Sequence, residues 1–259
     1  KTSAIWAQGS SLWLGRLKFW IARCKFWQVA MSGMKIKFTY FGIEGAGEKV
    51  RLALVMTGTE FEDNRVNFEA WSAMKETTPY GQLPIMEITM EDGSTKTIAQ
   101  SMAMLRWVAR KFDASGLLYP ADVDAMMAIE EVIGLSEDMQ RVWTPAIFLG
   151  MGRQTAYGYP AEWPEEEKKA TVQRVREAFL AADMPKFMGF LTKKLEATSA
   201  FFCGDKPTIA DLVLLPQLRY FTKGVADYVP ADCLTAYPVI TAWIDRMLAI
   251  PEIKKWYNL

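Results

Sequence analysis

The chain of 259 residues contains no histidine. That excludes Ser-His-Asp and Cys-His nucleophile systems and histidine-based metal sites. Any chemistry must use Tyr, Ser, Lys, Arg, a carboxylate or a bound cofactor. Two short stretches place backbone polar groups where a ligand could use them. In "AQSMAMLRW", Gln100 and Ser101 stand at the start of a helical pattern, where a hydroxyl and free N–H groups suit a carboxylate. The same residues also suit a plain N-cap. In "GQLPIMEI", Pro84 heads a strand-like run and removes a ladder hydrogen bond. On the residues alone this reads as an edge-strand proline with no ligand. A third pair, Thr208 and Asp211, precedes an apolar run and reads as a capping box with no chemistry.

The three cysteines, Cys24, Cys203 and Cys233, form no CxxC pair. They suggest neither a disulfide framework nor a zinc site, and a reducing compartment fits best. No metal is expected. Thirty basic residues balance thirty acidic ones. Five of the basic residues fall within 1–33, which has no acidic residue, so the remainder is mildly acidic. No basic face for nucleic acid is expected. Half the chain is hydrophobic, enough for a sizeable core, yet no run is long and apolar enough to read as a spanning helix.

Residues 1–33 stand apart. Trp6, Trp13, Trp20 and Trp27 recur every seven residues, with Lys18 and Lys25 roughly opposite. On a helix such a stripe drifts by only about 20° per heptad. It reads as a membrane-surface segment, as a targeting segment, or as an artefact outside the working protein, because "MSGMKIKFTYF" at Met31 looks like an ordinary start. The last reading is preferred, with membrane contact expected only if the segment is real.

From Met34 the pattern is β-α-β-α-β-β-α. "IKFTYF" is a strand, "EKVRLALVMTG" a helix with Gly58 as its C-cap, "EFEDNRV" a strand, and "EAWSAMKE" a short helix or irregular turn. "LPIMEITM" and "TKTIA" form an antiparallel pair around "EDG", and "QSMAMLRWVARKF" is a helix. A right-handed crossover makes the first two strands parallel. "DASGLLYPADV" is rich in turn formers and marks a boundary. Everything after it reads helical. The units are an extension at 1–33, an α/β unit at 34–114 and an all-α unit at 120–259.

The ordered motifs "TYFGIEGAGEKVRL", "YGQLPIMEI", "AQSMAMLRWVARKF" and "FFCGDKPTIADL" resemble the cytosolic glutathione S-transferases, of the sigma-like class that uses a tyrosine. The likeness covers residues 34–259. It implies a thioredoxin-like N-terminal domain that binds glutathione and an all-helical C-terminal domain that helps bind the electrophile. It also implies a cis Leu83–Pro84 bond, which is inexpensive only before proline. The Leu83 backbone would then be left free to pair with the cysteinyl part of glutathione.

The resemblance also carries roles to individual residues. Tyr40 is the expected catalytic group. Free thiols ionise near pH 8.5, so a phenol donating to sulfur would favour the thiolate. Gln100 and Ser101 would take the γ-glutamyl carboxylate, Trp71 and Lys75 the glycyl end, and Gln82 the peptide. Lys75 could equally be a solvated lysine. Phe41, Trp143, Phe148 and Tyr157 could line the electrophile pocket, although aromatics at helical spacing are more often core. Ala46 stands where sigma-like members carry an arginine that supports the thiolate, and Arg51 reads as part of a helix face. The partner subunit's acidic residue, carried onto this chain, would match Glu130, Glu131, Glu137 or Asp138.

The function implied is cytoplasmic, detoxifying transfer of glutathione to small apolar electrophiles, or their isomerisation, by a homodimer with no metal. An organellar site is the alternative if 1–33 is a transit segment. The competing reading is a non-catalytic binding or structural protein on the same scaffold. A thiol–disulfide member would need a cysteine near Tyr40, and none of the three is there.

Overall fold

The computed structural model describes residues 33–198 and 200–259. The tryptophan repeat lies outside the described residues. The α/β unit runs β1 (Lys35–Phe41), α1 (Glu48–Met56), β2 (Glu62–Val66), α2 (Phe68–Met74), β3 (Ile85–Thr89), β4 (Thr95–Ala99) and α3 (Ser101–Phe112). Its sheet has the order β2-β1-β3-β4. The crossover through α1 makes β1 and β2 parallel, while β3 runs antiparallel to β1 and to β4. The β3–β4 turn uses Gly93 at φ +80°, a left-handed position that glycine tolerates.

Register decides what the sheet presents at its end. Thr39 pairs with Ile85, and Ile85 pairs with Ala99. The next residue outward on each strand is Tyr40, Pro84 and Gln100 respectively. The ladder between β1 and β3 therefore stops where the proline has no N–H to give.

The helical unit comprises α4 (Val123–Gly150), α5 (Glu165–Ala178), α6 (Met184–Glu196), α7 (Ile209–Tyr220), α8 (Pro238–Leu248) and α9 (Pro251–Tyr257). Two details differ from the sequence pattern. α4 continues through Pro145 to Gly150, beyond the periodic stretch that announces it. The long pattern from Glu165 to Glu196 is interrupted by a π turn at Phe179–Asp183. Pro185 explains the interruption. Its ring would collide with the carbonyl four residues earlier, and widening the preceding turn relieves that conflict.

α7 is apolar nearly all round, and Ile209 through Pro216 are all buried. Such a helix must be central, and it touches α1, α3, α4 and α8. The core runs without a break from Phe38 and Met86 of the sheet, through Leu52 and Leu105, to Leu214 and Trp243. Thr208 and Asp211 form the capping box at the start of α7. Asp211 does more than cap. One carboxylate oxygen accepts from the Thr208 N–H at 2.8 Å and its hydroxyl at 3.1 Å. The other accepts from Trp243 Nε1 at 3.0 Å and the Phe202 N–H at 3.2 Å. A single side chain thus ties α7 to α8 and to the preceding loop.

Asp211→Ala should therefore lower stability by about 3–5 kcal/mol, because several buried donors lose their acceptor together. Asp211→Asn should lose less. Urea unfolding measures both, and a loss under about 1 kcal/mol for the alanine variant would contradict this role.

Candidate functional site

Tyr40, Leu83, Pro84, Gln100 and Ser101 meet at one end of the sheet because of the strand register. Tyr40 is only 7% exposed. Its phenol oxygen accepts a hydrogen bond of 3.0 Å from the Ala46 N–H. Among the described residues, none accepts the phenol's own proton. The loop that brings Ala46 there wraps the ring closely. A Cβ on Gly45 would lie 2.6 Å from the phenol oxygen, and one on Gly47 would lie 2.5 Å from the ring. Gly45 also adopts φ +37°. Both positions require glycine.

Arg51 lies beneath this loop and is fully buried. Its Nη2 donates to the Phe41 carbonyl at 3.0 Å and its Nη1 to the Ile43 carbonyl at 2.9 Å. Its Nε donates to Asp63 at 2.8 Å, and Nη1 also reaches Glu48 at 3.3 Å. The guanidinium carbon sits 5.6 Å from the Tyr40 ring centroid. Arg51 is thus the buried support of the loop rather than part of an open helix face.

Burial raises the Tyr40 pKa above that of an ordinary phenol. The Ala46 hydrogen bond and the Arg51 charge pull the other way without reversing the shift. Tyr40 therefore keeps its proton at neutral pH and is not a phenolate.

The Leu83–Pro84 bond is cis. Among the described residues, the Leu83 N–H and C=O have no hydrogen-bond partner. Gln100 Nε2 donates to Gln82 Oε1 at 3.3 Å across the gap. Gln100 adopts φ +72°, a costly conformation for a residue other than glycine. It turns the chain into α3, where Ser101 is the first helical residue. Lys75 follows α2, and its side chain passes 3.8 Å from the position of a Cβ on Gly81. That brings its exposed ammonium stem beside the 81–83 turn. Trp71 packs edge-on against Phe41, with centroids 6.2 Å apart. The strand register brings Tyr40, Pro84 and Gln100 to one end of the sheet, with Leu83 and Ser101 next to them in sequence, while Lys75 lies near Gly81 and Trp71 against Phe41.

The four aromatic pocket candidates separate. Phe41 stays at this end of the sheet, against Tyr40 at 5.4 Å and the exposed Phe68 at 5.1 Å. Trp143 is a core residue and not a pocket wall. It is 2% exposed and packs on Phe179 at 4.7 Å and Phe221 at 5.2 Å. The buried side of α4 carries it inward. Phe148 and Tyr157 pair with each other at 6.3 Å, and Arg153 lies over Phe148.

The acidic candidates also differ in their surroundings. Glu130 accepts from Arg106 and from the Tyr119 hydroxyl, and Arg106 holds its carboxyl below the usual range. Glu131 pairs with Lys194, and Asp138 with Arg141. Glu137 lies near Lys49, whose ammonium burial draws down to about 8. Among the described residues, no group of three or more His, Cys, Asp or Glu side chains could hold a metal. Nor is any helix there long and apolar enough to cross a membrane.

Residues 36–110 match the family described as glutathione S-transferase, N-terminal domain, and residues 157–258 match glutathione S-transferase, C-terminal domain. The chain is 32% identical over 225 residues to the glutathione S-transferase class-mu 28 kDa isozyme of Schistosoma japonicum, covering 86% of this chain and 97% of that one. Among solved structures it resembles a monomeric glutathione S-transferase of the hookworm Necator americanus, with 30% identity and a TM-score of 0.65 over 86% of this chain and 96% of that one. It also resembles prostaglandin synthase D of Nilaparvata lugens, with 25% identity and a TM-score of 0.68 over 86% and 97%.

The loop glycines offer a direct check. Gly47→Ala should cost about 2 kcal/mol or more, since ring or backbone must move. Gly42→Ala, whose added Cβ meets nothing within 4 Å, should stay within about 0.5 kcal/mol of the parent. Equal melting behaviour of the two variants would contradict the close fit around Tyr40.

Proposed function

The chain belongs to the glutathione S-transferase family and is an enzyme of that family, and we propose that it activates glutathione through the Tyr40 phenol in the manner of the sigma-like, tyrosine-using members. The single observation that carries this is the phenol oxygen. It takes one hydrogen bond from the Ala46 N–H and keeps its own proton available for a sulfur.

In this reading the tripeptide lies along this end of the sheet as an added strand. The free N–H and C=O of Leu83 pair with its cysteinyl unit. Ser101 and the first amides of α3 take the γ-glutamyl carboxylate, with Gln100 beside them. Trp71 and Lys75 hold the glycyl end, and Gln82 contacts the peptide between them. These contacts fix the thiol above Tyr40. With a pKa near 8.5, only a few per cent of a free thiol is ionised at neutral pH. Each unit of lowering needs about 1.4 kcal/mol, within reach of one hydrogen bond to a charged acceptor. The thiol proton leaves to solvent. The thiolate then forms a carbon–sulfur bond, and the electrophile either expels a leaving group or takes up a proton at the neighbouring atom.

Ala46 lacks the side chain of the arginine found in the sigma-like pattern, but its N–H still reaches the phenol, so the site needs only that backbone donor. Phe41, Phe68 and Ile43 give the site an apolar flank, which suits apolar electrophiles for conjugation or isomerisation. The similarity to prostaglandin synthase D of Nilaparvata lugens favours isomerisation as a second outcome. We further propose a two-fold homodimer in a reducing, cytoplasmic setting. Light scattering tests the assembly, with a monomer, the state described for the Necator relative, as the opposing outcome.

Tyr40→Phe should lower kcat/KM by about tenfold or more and raise the pKa of the bound glutathione thiol by about one pH unit, while changing its affinity less than about threefold. Normal turnover in this variant would remove Tyr40 from the role. The pH profile gives a second check. Burial keeps Tyr40 protonated beyond the ordinary phenol range near 10. Activity should therefore rise as the thiol ionises and should not fall below about pH 10 through loss of the Tyr40 proton. A wild-type decline near pH 8–9 that vanishes in Tyr40→Phe would contradict the donor role.

A further inference from the structure

The loop from Gly42 to Gly47 carries the N–H that reaches Tyr40, and Glu44 is its only charged residue. Two of its glycines wrap the ring, so the loop has little stiffness of its own. From beneath, Arg51 holds the carbonyls of Phe41 and Ile43. From the other side the helical unit holds Glu44. One carboxylate oxygen accepts from both Arg219 Nη1, in the last turn of α7, and Lys223 Nζ, just beyond it. Arg219 is itself laid over the Tyr257 ring of α9, 4.1 Å from the centroid. The Glu44 carbonyl accepts from the Glu48 N–H at 2.9 Å, where α1 begins. The three charged side chains are 18–30% exposed. An isolated surface pair contributes little, but here one half-shielded carboxylate gathers two cations from a different structural unit.

We propose that Glu44 is a positioning residue for the thiol chemistry: bridged to Arg219 and Lys223, it holds the 42–47 loop so that the Ala46 N–H stays on the Tyr40 oxygen. This rests on the reading of Tyr40 as the donor to sulfur. The Ala46 hydrogen bond polarises the phenol and strengthens what its proton can give the thiolate. Once the loop drifts, that bond lengthens and the sulfur ionises less readily. Arg219 and Lys223 thus act on the reaction without touching the substrate. In a chain that has alanine at position 46, control of the loop passes from a residue within it to cations outside it.

The test uses the full chain loaded with glutathione. Bound thiolate is read by its ultraviolet absorbance against pH, and loop mobility by hydrogen exchange of the 42–47 peptide. Glu44→Gln, and separately the pair Arg219→Met with Lys223→Met, should raise the pKa of the bound thiol by about half to one pH unit. At pH 6.5 kcat/KM should then fall about three- to tenfold, converging with wild type near pH 9. Glutathione affinity should stay within about twofold, and exchange in 42–47 should quicken. About 1 M salt, where screening acts within about 3 Å, should move the wild type in the same direction. An unchanged ionisation in Glu44→Gln, while Tyr40→Phe shifts it, overturns the proposal and spares the Tyr40 reading. So does an activity loss that tracks melting temperature and persists at pH 9. If neither variant shifts the ionisation, the Tyr40 reading fails and this proposal fails with it.

Discussion

A buried guanidinium organises the end of the sheet. Arg51 has no solvent to neutralise it, so every donor must find an acceptor within the protein. It finds the Asp63 carboxylate on β2, Glu48 one turn earlier on α1, the carbonyl of Phe41 at the end of β1 and that of Ile43 in the loop beyond. Those four acceptors come from β1 and the loop after it, from β2 and from α1. The bend of the chain after Phe41 is therefore dictated from below, and the ring of Tyr40 is caught between the cation and the glycine loop. Trp256 extends the same network to the C-terminal helix by donating to Glu48 at 2.7 Å.

A second constraint is the interplay of β3 and its proline. A strand of five residues pairs on both sides, and its neighbours supply Tyr40 on one flank and Gln100 on the other. Because Pro84 cannot extend the ladder, the Leu83 amide is left facing outward with nothing of its own to bind. An unpaired backbone group of this kind is costly when dry. Water or a peptide-like ligand would complete it, and the proposed added strand is one such partner.

The elements of the α/β unit were legible in the sequence because its strands and helices follow simple periods. The parallel and antiparallel pairings followed from crossover length and from the tight "EDG" turn. The capping box was legible for the same reason, since Thr208 and Asp211 sit at the required spacing before an apolar run. Other features were hidden because they depend on distant contacts. Nothing near Asp211 in sequence reveals that Trp243 donates to it. Arg51 looked like one more charge on a helix, since burial is decided by what packs over it. Trp143 reads equally well as a pocket wall in sequence, because an aromatic on a helix does not declare which side faces inward. The π turn escaped notice because periodicity tolerates Pro185, whereas the backbone does not.

The sheet end is a precise but brittle device. Tyr40 and Phe41 are adjacent on a strand, so their side chains project to opposite faces. Adding or deleting a single residue between Lys35 and Thr39 would exchange the two rings, putting a benzyl group under the glycine loop and the phenol beside Phe68 and Trp71. The hairpin at Gly93 lies at the other end of the sheet and could lengthen without that penalty. Length variation among relatives of this chain should therefore collect at the hairpin tip and be absent from the first strand.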